Sequence, residues 1–252
     1  MFTHAITRKP GVNFSRGIAT AENESHSYEL IVDQHAAYLE TLRSFGLEVI
    51  VLDSLPDYPD AYFVEDTAVV TPQVAVVTIP GATSRRGETD AIAPVLADYR
   101  EIKRIQPPAT IDGGDVLKVG NHFVIGISER TNTEGAEQLG KILQPFGYTW
   151  TTVPVRSGLH LKSSVNLVGD NTLLLSRKFT DLQKLRRFER IIVEEDERPA
   201  CNTLWINDHL MVPKGFPATR KKLEATRADI VELSVSEINK MDGGLTCMSL
   251  RF

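Results

Sequence analysis

Four times along this 252-residue chain, a polar or glycine-rich start leads into a short apolar strand, a tight turn and a second apolar strand. The first segment is 65–77, turning at Thr71-Pro72-Gln73, and the second is 113–126, turning at Gly120-Asn121. The third is 163–175, turning at Gly169-Asp170-Asn171, and the fourth is 201–212, turning at Asn207-Asp208. Gly, Asn and Asp tolerate the left-handed backbone that hairpin turns demand. The turns recur at spacings of roughly 40 to 50 residues, a period typical of radially repeated architectures. An open doubly wound sheet alternates single strands with helices and would not generate so many adjacent hairpins. The pattern therefore predicts repeated α/β units closed around an axis.

Helical periodicity fills the gaps between hairpins. Residues 27–45 carry Leu30, Ile31, Gln34, Ala37, Tyr38, Thr41, Leu42 and Phe45 at helical spacing, with Gly46 as a stop. Residues 88–96 form a weaker candidate that Pro94 is expected to interrupt, and 133–146 a stronger one ending at Gly147. Shorter helices are predicted over 180–188 and 218–226, each followed by an apolar strand, 191–193 and 230–233.

In a radial repeat the starts of equivalent strands meet near the axis. Here those starts are polar: Glu65 and Asp66, Asp112 to Asp115, His160 to Ser164, Cys201 and Asn202, and Gly243 to Cys247. Unpaired buried charge is expensive, so such a cluster is poorly explained as core filling.

Composition excludes several classes of function. Twenty-eight Lys+Arg against 33 Asp+Glu give a net charge of -5 without a basic stripe, which argues against nucleic acid. No apolar run approaches the length of a membrane span, and the N-terminus lacks the order of a secretion signal. The two cysteines form no Cys-x-x-Cys pattern and are expected as free thiols in the cytoplasm. Monomer and homodimer are both compatible with the chain.

The cysteines are the natural candidates for chemistry. A thiol attacks well only as thiolate and needs a neighbouring base or cation. Cys247 sits in Asp242-Gly243-Gly244-Leu245-Thr246-Cys247, where the double glycine allows a close backbone approach; Cys201 is the competitor. Among six histidines, His160 has the most suitable place, at a polar, glycine-bearing strand entry. His26 and His35 fall in the first helical region, and His122 and His209 follow hairpin turns, as structural residues would. One carboxylate of Ile111-Asp112-Gly113-Gly114-Asp115, either Asp112 or Asp115, could orient His160 and fix its tautomer.

Asp57, Asp60, Glu65 and Asp66 stand among Tyr58, Tyr62 and Phe63, a combination that suits a planar cationic ligand. A metal also takes carboxylates, but neither the spacing of a metal loop nor a histidine pair accompanies them. Arg85, Arg86 and Arg130 lie where hairpins hand over to helices and could clamp a ligand carboxylate.

Five marks in order resemble the dimethylargininases of the guanidine-modifying (pentein) superfamily. They are Phe63-Val64-Glu65-Asp66-Thr67, Ile111-Asp112-Gly113-Gly114-Asp115-Val116-Leu117, Ser128-Glu129-Arg130-Thr131-Asn132, Gly158-Leu159-His160-Leu161-Lys162-Ser163 and Asp242-Gly243-Gly244-Leu245-Thr246-Cys247. The resemblance covers essentially the whole chain. It implies a fivefold pseudosymmetric α/β propeller with a central active site, and a single catalytic domain over 1–252. It implies Cys247 as nucleophile, His160 as general acid and base, and Asp112 as the carboxylate orienting the histidine; some bacterial members have glutamate there. Glu65 and Asp66 would hold the guanidinium beside Phe63, Arg85 and Arg130 the substrate α-carboxylate, and Asp60 its α-amine. Ile18 and the backbone around Met241 and Asp242 would be further walls.

The activity so implied is metal-free and cofactor-free hydrolysis of a small-molecule substrate, Nω-methylated L-arginine, to L-citrulline and an alkylamine. Two alternatives stand beside it. An arginine or agmatine deiminase would release ammonia by the same chemistry, although arginine deiminases are usually longer and agmatine offers no carboxylate to Arg85 and Arg130. A non-catalytic amino-acid-binding relative would keep the scaffold without turnover.

Overall fold

The computed structural model describes residues 1–20 and 25–252. In chain order, strand β1 (His4–Arg8) leads through helix α1 (Tyr28–Ser44) to β2 (Glu48–Leu52). The hairpin β3 (Ala68–Val70) and β4 (Val74–Val77) is followed by α2 (Glu88–Ala97) and β5 (Glu101–Arg104). The next unit is β6 (Val116–Val119), β7 (His122–Ile127), α3 (Thr133–Leu143) and β8 (Thr149–Pro154). Then come β9 (Val165–Leu167), β10 (Thr172–Ser176) and β11 (Glu189–Val193), with 3-10 turns between the last two. Strands β12 (Leu204–Ile206) and β13 (His209–Pro213) precede α4 (Pro217–Leu223) and β14 (Asp229–Leu233), and α5 (Ser236–Lys240) and β15 (Leu250–Arg251) end the chain.

Every sheet has three strands paired in one way: an antiparallel pair, then a parallel third strand. The first unit is β3-β4-β5, the second β6-β7-β8, the third β9-β10-β11 and the fourth β12-β13-β14. The fifth is β15-β1-β2, built from both ends of the chain, with Ala5 opposite Arg251 on one side and Val49 on the other. Its antiparallel pair joins residues almost a whole chain apart, so no hairpin signal announces it. Each of the first three polar starts folds as a one-turn 3-10 helix, Val64–Thr67, Gly113–Asp115 and Leu161–Ser163, and the fourth as the longer 3-10 segment Glu195–Cys201. Each packs against the next, and β15 lies beside β3, which closes the ring. The fold is the expected fivefold α/β propeller, with core clusters between sheets and helices.

Two helical expectations need correction. Pro94 does not interrupt α2, which runs on to Ala97. Pro94 is exposed, so its missing N–H leaves a carbonyl on the solvent side, while Ile92, Ala93 and Leu96 keep their buried face. Residues 180–188 form no α-helix, only a 3-10 turn at Gln183–Leu185. Phe179, Leu182, Leu185 and Phe188 are all buried, and a repeat of three matches the 3-10 period better than the α-helical one. Helix α1 is capped by Ser27, whose hydroxyl accepts from the Leu30 N–H, and α3 gives way to a turn ended by left-handed Gly147, φ 83°. Among the described residues, no helix is long and apolar enough to cross a membrane.

Candidate active site

The strand starts deliver their polar side chains to one small cavity. Asp66 from the first unit, His160 from the third and Cys247 from the fifth line it together, with Asp60, Phe63, Arg85 and Arg130. Ile18, Leu159, Met241, Asp242 and Gly243 complete the wall. Asp57 and Arg86 are exposed and take no part. Cys201 is wholly buried in the apolar cluster of Val168, Leu174, Leu210 and Val212, and burial pushes its thiol up to about 12. It is a core residue. His35 is buried in α1 and pushed down to about 4, while His122 and His209 bond to Thr149 and Asp229 on strands away from the cavity.

His160 is held from the second unit. Its Nε2 lies 2.9 Å from Asp112 Oδ2, and Asp112 is itself fixed by the Gly81 N–H, which donates to Oδ1 at 2.8 Å. Asp115 serves the neighbouring backbone: its Oδ1 accepts from Leu161 N–H at 2.8 Å, its Oδ2 from Ser128 and Thr131 hydroxyls at 2.7 Å each. Geometry therefore chooses Asp112 over Asp115 as the imidazole's partner. Nδ1 of His160 makes no hydrogen bond among the described residues. Burial acts to lower the imidazole, but the carboxylate of Asp66, the bond to Asp112 and the charge of Asp115 outweigh it and raise it to about 9.

Asp66 is held against burial by cations. Its Oδ2 accepts from Arg85 Nη1 at 2.6 Å and its Oδ1 from Gly114 N–H at 2.8 Å. A Cβ on Gly114 would come within 2.7 Å of the His160 ring and 2.9 Å of Asp66, so only glycine admits both. Burial alone would raise this carboxyl; His160, Arg85 and these bonds bring it down to about 2. The cysteine thiol moves the other way, pushed up to about 12 by burial and then by Glu65 and Asp66. The raised thiol and the raised imidazole both favour their protonated forms.

Three assignments read differently in three dimensions. Arg85 is buried and mostly committed: Nε and Nη2 grip Glu88, Nη2 also donates to the Phe63 carbonyl at 3.0 Å, and Nη1 meets Asp66. Arg130 makes no ion pair among the described residues, which leaves it as the free cation of the cavity. Glu65 turns away from Asp66. Its Oε1 takes Lys162 Nζ at 2.6 Å and Arg251 Nη2 at 2.7 Å, and it lines a different cavity with Gly113 and Asn166. Of the expected carboxylate pair, Asp66 lines the cavity with Cys247, while Glu65 Oε2 is buried without a hydrogen-bond partner among the described residues.

Asp60 receives the Ile18 N–H on both oxygens at 3.1 Å, and burial raises its carboxyl. Asp242, at φ 55°, receives the backbone N–H and hydroxyl of Thr20 at 2.6 and 2.8 Å. Its side chain as well as its backbone therefore shapes the wall. Sequence reasoning missed Glu88, whose only signal was its position three residues after Arg85 at the start of a helix.

Ligand atoms of Asp66, Asp112 and His160 lie within 4.8 Å of one another, close enough to share a metal ion. Their chemistry opposes one, since Nε2 is bound to Asp112, Asp66 faces a guanidinium, and a metal requires neutral imidazole.

The family model described as "N,N dimethylarginine dimethylhydrolase, eukaryotic" matches residues 10–251. The N(G),N(G)-dimethylarginine dimethylaminohydrolase of Pseudomonas aeruginosa is 36% identical, with 100% of both chains covered. The chain belongs to the dimethylarginine dimethylaminohydrolase family. The Streptomyces coelicolor member of this family is 35% identical, over 98% of this chain and 96% of its own. A solved structure of the Pseudomonas aeruginosa enzyme, a cysteine-to-serine mutant complexed with citrulline, superposes with a TM-score of 0.97 over 100% of both chains at 36% identity. The N-terminal domain of ArgZ, an arginine dihydrolase, has a TM-score of 0.89 at 19% identity over 98% of this chain and 96% of its own, a likeness of fold alone.

Proposed function

We propose that this dimethylarginine dimethylaminohydrolase family member hydrolyses asymmetric dimethylarginine and monomethylarginine to L-citrulline and dimethylamine or methylamine. One observation carries the reading: a cysteine, an imidazole clamped by a buried carboxylate, a second carboxylate and a free arginine meet in one cavity. Solved family structures complexed with citrulline, or adducted with S-methyl-L-thiocitrulline, support it.

The substrate's planar cation lies against Asp66, with Phe63 as an apolar wall. Arg130 binds the α-carboxylate, helped by the uncommitted N–H of Arg85, and Asp60 meets the α-ammonium. Bringing a cation beside Cys247 offsets the two carboxylates that hold its proton, so substrate binding releases that proton to solvent and leaves the thiolate. Sulfur adds to the guanidinium carbon. His160, already an imidazolium, gives its proton to the departing amine as the C–N bond breaks. The S-alkylthiouronium left on Cys247 is attacked by water, whose proton returns to His160; the C–S bond then breaks and releases citrulline.

Asp112 keeps Nε2 occupied, so Nδ1 handles the protons. The chain acts as one catalytic domain, because every unit contributes to the axis. Free thiols suit a cytoplasmic location. The decisive assay offers asymmetric dimethylarginine, monomethylarginine, arginine and agmatine in parallel and follows citrulline, carbamoylputrescine and released amine. Preference for the methylated pair is expected; faster ammonia release from arginine or agmatine would overturn the reading in favour of a deiminase.

A further inference from the structure

Each of the five units sends a polar side chain towards the axis, and four already have parts in the reaction proposed above: Asp66, Asp112, His160 and Cys247. The fourth unit sends Asn202, the residue that ends the 3-10 segment Glu195–Cys201. Asn202 is 8% exposed. Its Oδ1 accepts from the Thr246 N–H at 3.0 Å, and its Nδ2 lies 3.8 Å from Cys247 Sγ.

The backbone N–H of Thr246 can only donate, so it decides which end of the carboxamide it meets. The NH2 end must then face the sulfur. Gly244 belongs to the same arrangement, since a Cβ there would lie 2.2 Å from Asn202 Cγ. The Gly244 carbonyl in turn accepts from the Cys247 N–H at 3.2 Å, so the amide packs flat on the turn that carries the nucleophile. A side chain tied at one end to the residue before Cys247, and aimed at its sulfur with the other, has a defined geometry for acting on that atom.

We propose that Asn202 is the hydrogen-bond donor that positions the Cys247 sulfur and stabilises its thiolate. The proposal rests on Cys247 being the nucleophile. As the thiol proton leaves, charge gathers on Sγ and the Asn202 N–H is already directed at it; no bond to Asn202 forms or breaks. The surrounding groups divide. Glu65 and Asp66 oppose the thiolate, and the Tyr62 phenol is neutral; Asp60 and Asp242 add negative charge to the cavity, while His160, Arg85 and Arg130 add positive charge. Thr246 Oγ1, at 3.9 Å, is a hydroxyl on the same turn and can donate or accept. The Gly244 backbone also favours the thiolate, and Asn202 is the neutral side chain there that can only donate to sulfur through its free end.

The test compares Asn202→Asp with Asn202→Ala. Aspartate keeps the acceptor for Thr246 N–H but presents an oxygen to the sulfur; alanine removes both. Each variant is made in the full-length chain, and alkylation of Cys247 by iodoacetamide is followed from pH 6 to 10, with mass spectrometry separating it from buried Cys201. Loss of a charge-assisted hydrogen bond should lower the thiolate fraction across this pH range by about tenfold. The rate at pH 8 should fall roughly three- to tenfold in both variants, allowing for the higher intrinsic nucleophilicity of a more basic thiolate. With dimethylarginine as substrate, kcat should fall while KM stays within about threefold.

If Asn202→Asp alkylates and turns over like the wild type while Asn202→Ala does not, the residue merely anchors Thr246 and the donor role is wrong. Wild-type behaviour in both variants also overturns it. Because alkylation is read on the free enzyme, these outcomes stand apart from the nucleophile assignment, which fails only if Cys247→Ser retains turnover.

Discussion

Glu65 and Asp66 are adjacent in the chain and almost equally buried, at 3% and 4% exposure, yet they serve different regions. Asp66 faces the cavity of Cys247 and His160, where Arg130 and the imidazole Nδ1 remain available to a ligand. Glu65 faces a second cavity, where Lys162 and Arg251 converge on one of its oxygens. In the first region charge is set out for a ligand; in the second it joins the third and fifth units to the first. Burial alone therefore does not mark a functional carboxylate. The cavity it faces does: Asp66 has both oxygens bonded yet stands beside Cys247 and His160, whereas Glu65, whose Oε2 is buried without a hydrogen-bond partner among the described residues, does not line that cavity.

The largest effect that could break this contrast is at the nucleophile. Cys247→Ser should lower citrulline formation by about 10⁴-fold or more, with stability changed by less than about 1 kcal/mol. Urea unfolding beside the activity assay checks both, and substantial turnover in the serine enzyme would remove the chemistry from this cavity.

The contrast itself is read by a pair of isosteric changes. Asp66→Asn should reduce kcat/KM by about 10²- to 10³-fold, the scale of losing a preorganised electrostatic contact. Glu65→Gln should cost about 3 kcal/mol of stability, because it strands two buried cations, and should change kcat/KM by less than about tenfold. A Glu65→Gln enzyme as catalytically damaged as Asp66→Asn would show that both carboxylates hold the guanidinium.

Smaller is the distinction between the arginines. Arg130→Ala should raise KM for dimethylarginine by about 10- to 100-fold and leave stability nearly unchanged, since the side chain makes no ion pair among the described residues. Arg85→Ala should unfold at lower urea as well, because Glu88 and Asp66 lose their cation. Equal loss of stability in both variants would contradict the committed-versus-free division.

The smallest effect is in pH dependence. The His160 imidazole is raised to about 9 in the folded chain, so the stability it adds is fully present below the ordinary histidine pKa and is lost as pH rises through about 9. On the order of 2–3 kcal/mol should disappear between pH 6.5 and 9.5, and His160→Asn should flatten that limb. Urea midpoints over this range provide the check; parallel curves for the two proteins would mean that Asp66 and Asp112 do not hold the imidazolium.

Much of this was legible in the residues themselves. Turn chemistry at Gly120 and Asn207-Asp208 placed hairpins, because left-handed backbone demands particular residues wherever it occurs. The order of five polar marks pointed to Cys247 and His160. The 180–188 stretch was misread because burial every third residue resembles a helix in a short window. Pro94 misled in the opposite sense: its effect depends on which way it faces, and it faces solvent.

Local chain chemistry, then, determined the repeat, the turns and the inventory of reactive groups, since propensity and spacing act over a few residues. Only the tertiary structure decided that β15 and β1 complete a fifth sheet, and that Asp112 rather than Asp115 meets the imidazole. It also decided that Arg85 is spent on Glu88 and Asp66 while Arg130 stays free, and that Glu65 and Asp66 part company. Each of these outcomes depends on which groups from distant units approach within hydrogen-bond reach, and closure of the ring sets those distances.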